Sequence, residues 1–332
     1  MERNGFMFAV NPQAGKGRGL VYGKRIKKLF LSWGIEAQVV FTSKDGPDSA
    51  FALGKRAAQD GVHTLVGVGG DGTKNLLLNG MMASGVPLER LPRFGSIQAG
   101  TGNNFAKNVG IPGTFDEALE VIRKGHTAFF DVGLVTTGSM KKYFLNVVSF
   151  GFDAPVTEMA RNLKEKYRII PKNMTYFLAA GRKIFLGFPS YRLALSAPGF
   201  NLETEVCLLA VLNGPSYGAI FQIAPDADPS DGLFEVCLIY GVGKCKAVEI
   251  LIRAIKGKHV GLPQVRFLRV PSLTISSLEP LPWEVDGEVM NAERESAVSI
   301  LPGALKVLVP PMLLGAQRPL VAKSEAPEFQ PA

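Results

Sequence analysis

Three stretches of the chain place glycine, asparagine, threonine and aspartate where a phosphate can be held: Asn11-Pro12-Gln13-Ala14-Gly15, Gly69-Gly70-Asp71-Gly72-Thr73, and Gly100-Thr101-Gly102-Asn103. Each follows a short apolar run that reads as a buried strand. The central one is Leu65 to Val68, and the helical pattern Lys74-Asn75-Leu76-Leu77-Leu78 follows it. Glycine lets the backbone approach a ligand closely. The free N–H groups of the next helix then face the anion. Asp71 points into the same space, where it can hold magnesium directly or through water. Gly67-x-Gly69-x-x-Gly72 also fits a dinucleotide fingerprint. That reading needs an acid at the tip of the following strand, and Phe94 to Ile97 ends in Gln98. A plain tight turn is the remaining alternative.

The elements that must position these loops alternate. Gly5–Val10, Gln38–Phe41, Leu65–Val68, Phe94–Ile97 and Thr127–Val132 read as strands. Leu20–Trp33, Asp48–Asp60 and Phe115–Lys124 read as helices. Short apolar strands alternating with helices predict a parallel sheet covered on both faces. Ligands of such sheets sit at the carboxyl ends of the strands. The loops at Asn11, Thr42, Gly69 and Thr101 are therefore expected to converge on one edge.

After about residue 132 the texture changes. Phe144–Ser149, Tyr191–Ser196, Glu205–Leu212, Leu233–Tyr240, Arg266–Val270, Ser272–Ser276, Trp283–Val285 and Ala304–Val309 look like strands separated by turn residues. They predict a second, mainly antiparallel domain, interrupted by helical stretches at Pro155–Phe185 and Lys246–Ile255. The expected division is 1–132 and 133–310, with the last strand (300–310) a candidate to rejoin the first domain, and a mobile tail over 311–332.

With 332 residues, 46% of them hydrophobic, the chain can bury a large core in two domains. Three cysteines without paired spacing and three scattered histidines imply neither a disulfide framework nor a histidine metal cluster. The net charge of +8 concentrates at Lys16, Arg18, Lys24, Arg25, Lys27 and Lys28, and at Arg161, Lys164, Lys166 and Arg168. Such clusters are most often solvated helix faces. They also suit a nucleotide phosphate or an anionic membrane surface. The chain shows no nucleic-acid motif. No stretch has the roughly 18 apolar residues of a membrane span, and the first strand begins at Gly5, so no signal peptide is expected.

The ordered set of loops resembles the diacylglycerol kinase catalytic-domain family, the bacterial soluble lipid kinases in particular, which are related to sphingosine kinases. The resemblance spans residues 5 to 310. It rests on Asn11-Pro12-x-Ala14-Gly15, Gly69-Gly70-Asp71-Gly72-Thr73-x-Asn75 and Gly100-Thr101-x-Asn103-x-Phe105-Ala106. In the second domain it rests on Ser149-x-Gly151-x-Asp153-Ala154, Asn213-Gly214…Tyr217-Gly218, Asp228-Pro229-Ser230-Asp231-Gly232-Leu233 and Asp286-Gly287-Glu288. The central signature alone is shared with NAD kinases and phosphofructokinases.

The resemblance implies an N-terminal parallel α/β nucleotide-binding domain, NAD kinase/phosphofructokinase-like, and a C-terminal antiparallel β-sandwich-like domain. It also implies ATP and Mg2+, and phosphoryl transfer to a lipid hydroxyl, with diacylglycerol or a similar membrane lipid as acceptor. Asn11, Pro12, Gln13, Ala14, Gly15, Thr42, Gly69, Gly70, Asp71, Gly72, Thr73, Asn75, Thr101 and Asn103 would hold the nucleotide. Asp231, with the carbonyls of Asp228 and Leu233, resembles a structural magnesium site. Asp286 and Glu288 occupy the stretch that supplies the base, with Asp71 as a further catalytic candidate. An acid-Gly-acid turn can present one carboxylate to the alcohol and the other to magnesium. Taken alone, Asp286-Gly287 reads as a hairpin turn.

The implied setting is cytoplasmic, peripheral to the inner face of an anionic membrane, with homodimerisation left open. Phe177, Phe185, Phe188 and Phe221 are candidates to line an acyl groove, and core packing is the alternative for each. Two positions depart from the family. Leu76 stands where glutamate is usual, and Asn104 where aspartate is common. Lys74 adds positive charge within the signature. A soluble-metabolite kinase such as an NAD kinase, and a non-catalytic nucleotide- or lipid-binding regulator, are the competing readings.

Overall fold

The computed structural model describes residues 5–100, 102–138, 140–167, 172–218 and 220–311. Thr101, Arg168 and the expected tail beyond Pro311 lie outside the described residues. The chain separates into two compact units, one running to Val132 and taking up the chain again at Pro302, the other comprising Gly133–Leu301.

The first unit alternates β1 (Phe6–Val10), α1 (Ala14–Ser32), β2 (Ala37–Phe41), α2 (Ala50–Gln59), β3 (Thr64–Gly69), α3 (Asp71–Met82), β4 (Arg93–Gln98), α4 (Asn104–Asn108), α5 (Phe115–Lys124) and the start of β5 (Thr127–Thr137). β1 pairs in parallel with both β2 and β3, and β3 with β4. The order β2-β1-β3-β4 reverses direction between β1 and β3. The crevice beyond the strand ends at such a switch is where α/β sheets bind ligands. The chain returns at Val307, paired in parallel with Phe94. The Gly303 N–H donates to the buried Asp131 carboxylate at 2.7 Å, fixing that return. β3 is buried along its whole length, as its unbroken apolar run requires. Ser49 caps α2 and Thr114 caps α5 through their side chains.

The second unit contains β6 (Met140–Phe144), β7 (Val147–Gly151), α6 (Asp153–Lys166), α7 (Lys172–Leu186), β8 (Tyr191–Ala197), β9 (Phe200–Leu212), β10 (Phe234–Tyr240), α8 (Lys244–Ala254), β11 (Val265–Val270), β12 (Ser272–Val285) and β13 (Glu288–Leu308), whose last turn of chain enters the first unit. Its strands pair antiparallel in the order β11-β10-β9-β7-β12-β13, and β8 bridges β9 and β12. β9 shows why both layers form. Val206, Leu209 and Val211 enter a core with Phe144, Phe150, Phe234 and Trp283. Cys207, Leu208, Ala210 and Leu212 enter another beneath the helices, with Tyr217, Phe221 and Ile250. Burying each of the four phenylalanines contributes about 1.5–3 kcal/mol.

Several strands differ from the pattern-based expectation. Phe144–Ser149 is not one strand: Leu145 and Asn146 form a turn between β6 and β7, because a carboxylate takes their N–H groups. Ser272–Ser276 and Trp283–Val285 are a single strand, β12, whose register slips around Pro280 and Pro282. β13 begins at Glu288, far ahead of Ala304, since its charged residues face solvent and mask the alternation. Pro155–Phe185 is two helices, α6 and α7.

Burial fixes the chemistry of the thiols. Burial pushes the Cys207 thiol up to about 12 and that of Cys237 higher still, while Cys245 is exposed. Alkylation of the native protein is expected to modify Cys245 alone, and all three cysteines after denaturation. Mass spectrometry of the labelled chain checks this, and rapid native labelling of Cys207 or Cys237 would contradict the packing of β9 and β10.

Candidate active site

In the first unit the loops after β1, β2 and β3 end at aligned register positions, Val10 opposite Phe41 and Val68. The Asn11 N–H donates to the Val68 carbonyl at 2.9 Å, and its Nδ2 donates to Thr73 Oγ1 at 3.3 Å. Asn11 Oδ1 accepts from the Gln13 N–H. The Thr42 N–H donates to the Val10 carbonyl at 2.8 Å. Gly15 has φ +60, and a Cβ there would lie 2.0 Å from the Ala99 carbonyl oxygen. Arg18 donates to that same carbonyl. A Cβ on Gly100 would lie 2.7 Å from Gly70 Cα. The three loops therefore touch backbone to backbone, which only glycine permits. Pro12 and Ala14 are half-buried in the first loop, and Gln13 and Gly72 are exposed.

α3 starts at Gly70 without a side-chain cap, unlike α2 and α5. Its first N–H groups have no side-chain acceptor, the arrangement that binds anions. Asn103, in a left-handed conformation, donates to the Gly100 carbonyl, and its buried Oδ1 has no hydrogen-bond partner. A cradle closed to any Cβ and an uncapped helix start fit a nucleotide polyphosphate, while the unpartnered Asn103 Oδ1 calls for a donor or a cation. Asn75 turns inward, its Oδ1 accepting from Asn79 at 3.0 Å.

Two residues of the signature have partners within the first unit. Both Asp71 oxygens accept backbone N–H groups, from Asn104 at 2.9 Å and Phe105 at 3.2 Å, so the carboxylate ties the second loop to the start of α4. Lys74 does not lie beside the phosphate cradle. Its side chain is fully buried against the Gly67 side of β3, and burial holds its amine below the usual lysine range. Leu76 is exposed, and Asn104 is half-buried.

In the second unit Asp286 (φ +48) and Gly287 (φ +87) make the turn between β12 and β13. The Asp286 carboxylate accepts from the N–H groups of Leu145 (2.7 Å), Asn146 (3.0 Å) and Val147 (3.1 Å), and from Asn146 Nδ2 (3.1 Å). It holds the turn that separates β6 from β7. Glu288 is the more open acid, its side chain 53% exposed, and Lys142 Nζ donates to it at 2.5 Å.

Beneath this turn lies a buried polar chain whose function composition did not signal. Glu284 accepts from the Gly287 N–H at 2.6 Å and from Ser149 Oγ at 3.0 Å. Ser149 also reaches Asp153, whose carboxylate accepts from Tyr176 at 2.6 Å and from Tyr217. Burial raises the Glu284 carboxyl well above its usual range, with Asp153 nearby adding to the effect, and burial raises Asp153 as well. The one available clue was a glutamate between the apolar Trp283 and Val285. Asp153, Tyr176 and Tyr217 form the polar edge of an otherwise apolar cavity of about 70 Å³ under α7 and α8. Phe188 and Phe221 line it. Phe177 packs in the neighbouring core, and Phe185 is 77% exposed, so neither lines the cavity.

The loop expected to bind a structural metal is engaged otherwise. Asp231 Oδ1 accepts from the Leu233 N–H at 3.0 Å, and Oδ2 pairs with Arg269. The Asp228 side chain accepts from the N–H and hydroxyl of Ser230, and its carbonyl accepts from the Asp231 N–H. Among the described residues no three histidine, cysteine or acidic side chains gather around one point. This donor set does not fit a resident magnesium ion, which prefers open carboxylate and water ligands.

Comparison with known proteins agrees with this architecture. Residues 5–135 match the diacylglycerol kinase catalytic domain, and residues 146–309 match the YegS C-terminal NAD kinase beta sandwich-like domain. The diacylglycerol kinase of Staphylococcus carnosus (strain TM300) is 27% identical over 281 residues, covering 84% of this chain and 86% of its own. A protein of Chromohalobacter salexigens named "Probable lipid kinase YegS-like" is 29% identical over 264 residues, covering 78% and 79%. The crystal structure of a diacylglycerol kinase from Bacillus anthracis str. Sterne shares the fold, with a TM-score of 0.68 at 18% identity over 94% of this chain and 99% of that one. No helix among the described residues is long and apolar enough to cross a membrane. With both domains matched in order, the chain belongs to the diacylglycerol kinase catalytic-domain family and is a kinase of the lipid-kinase type.

Proposed function

We propose that the protein transfers the γ-phosphoryl group of MgATP to the hydroxyl of a neutral membrane lipid of the diacylglycerol class. The observation that carries this reading is the division of labour on the Asp286-Gly287-Glu288 turn. Asp286 is occupied by four N–H donors, and Glu288 alone faces outward. Glu288 is the base: it takes the proton of the acceptor hydroxyl as that oxygen bonds to the γ-phosphorus. The bond from the γ-phosphorus to the β,γ-bridging oxygen breaks, and ADP leaves. Lys142 holds the Glu288 carboxylate in place. The loops around Asn11, Gly15, Gly70 to Thr73 and Asn103 bind and orient the nucleotide, and phosphoryl transfer depends mainly on such positioning. Magnesium brought by the nucleotide would offset the phosphate charge.

The apolar cavity under α7 and α8 suits part of an acyl chain. The basic faces at Lys24, Lys27 and Lys28, and at Arg161 and Lys164, are exposed and suit transient contact with anionic headgroups. Weaker vesicle binding at high salt is expected on this reading.

The deciding experiment is transfer of labelled γ-phosphate from ATP to diacylglycerol in mixed micelles, beside NAD as a soluble acceptor. Labelled phosphatidate is expected, with Glu288→Gln lowering kcat about 100-fold or more and leaving ATP binding unchanged. Label on NAD alone, or ATP binding without transfer to any lipid, would overturn the proposal. Asp286→Ala is expected to act differently. It strands several backbone N–H groups and should lower unfolding stability by about 2–4 kcal/mol, measured by urea denaturation. A fully stable Asp286→Ala protein would contradict its role as the clamp of the 145–147 turn.

A further inference from the structure

The segment from Asp226 to Glu235 gathers four carboxylates within ten residues: Asp226, Asp228, Asp231 and Glu235. Asp231 and Glu235 are largely withdrawn from water, with side chains 18% and 10% exposed. Charges so placed need a cation. The resemblance to the lipid-kinase family places a divalent metal here. The donors argue otherwise. One Asp231 oxygen is taken by the Leu233 N–H, the other faces a guanidinium, and the Asp228 carbonyl accepts from the Asp231 N–H.

The cation is built into the chain. Arg269 lies on β11 directly opposite Glu235 on β10. Its Nη2 meets Asp231, and its Nε lies 2.7 Å from Glu235 Oε1. One planar guanidinium therefore spans two carboxylates, one on the loop and one on the strand that follows it. Arginine suits this place because its charge is permanent; Nη2 hydrogen-bonds to Asp231, and Nε meets Glu235 as a close charge pair without hydrogen-bond geometry. The strand register brings it there without further ordering of the chain. Magnesium would have to displace this pairing, give up bound water and find further oxygen ligands.

We infer that Arg269 is the resident cation of the Asp228–Glu235 loop, so that this loop is closed by a guanidinium in the position where a divalent metal would otherwise be required. Two consequences follow. The folded protein does not depend on divalent cations for its stability. Removal of the guanidinium turns the Asp231 and Glu235 pair into a divalent-cation site. Neither consequence depends on which acceptor the kinase uses.

The test is thermal unfolding of the full chain without nucleotide, in EDTA and in added Mg2+ or Ca2+. The wild-type midpoint is expected to be the same in all three. Arg269→Met is expected to melt several degrees lower in EDTA and to recover part of that loss in Mg2+ or Ca2+. Mn2+ binding by Arg269→Met, read from paramagnetic broadening and absent from wild type, is the second readout. If Arg269→Met does not fold, Arg269→Lys keeps the charge and is expected to melt at one temperature with or without divalent cations. A wild-type midpoint that falls in EDTA and returns with Mg2+ would overturn the inference. So would an Arg269→Met protein that melts like wild type and ignores divalent cations.

Discussion

The Asp286 carboxylate accepts four hydrogen bonds from a single tight turn, Leu145 to Val147, and much of the second unit's geometry depends on that arrangement. It interrupts what would be one strand and splits it into β6 and β7. It holds the β12–β13 turn in a left-handed conformation, which aspartate tolerates better than most residues. It also leaves Glu288 two residues further on as the outward acid. The two acids of this turn thus differ in their partners, backbone and amide N–H groups for Asp286 and the Lys142 ammonium for Glu288.

The first unit uses the same device. Asp71 binds the N–H groups of Asn104 and Phe105, and Asp131 binds that of Gly303. In each case an acid joins two segments far apart in sequence. The glycines at positions 15 and 100 let the joined loops approach at backbone distance. What results is a closely packed rim around an uncapped helix start. The positive end of α3 is therefore available to an anion in a way that the starts of α2 and α5 are not.

The buried chain of Glu284, Ser149, Asp153, Tyr176 and Tyr217 connects the underside of the acidic turn to the edge of the apolar cavity. Burial favours the protonated form of both acids, and the two cannot easily carry charge together. Protonated, they donate as well as accept, which lets a chain of this kind be satisfied without a cation. The Arg269 network takes a different course, setting one fixed positive charge between two acids, and burial still pushes the Glu235 carboxyl up to about 7.

The sequence by itself determined the class of fold and the kind of site. Apolar runs of strand length alternating with helical patterns, and ending in glycine, asparagine, threonine or glutamine, read as the buried strands of a parallel sheet with polar loops at one end. The ordered loop motifs then pointed to a phosphate-binding kinase. Residue type and local spacing carry that information directly. The tertiary structure decided what depends on partners distant in sequence. It set the order β2-β1-β3-β4, since periodicity says nothing about which strand lies beside which. It showed that Lys74 turns into the core and that Asp71 is a loop tie, because a side chain's direction is fixed by the packing around it. It joined the pieces of β12 across two prolines and extended β13 through a charged, solvent-facing stretch that hides the alternation. It placed Arg269 against Asp231 through the β10–β11 register, a pairing 38 residues apart. A carboxylate looks alike in every motif, and only the donors that surround it in the folded chain fix whether it anchors backbone, pairs with a cation or takes a proton.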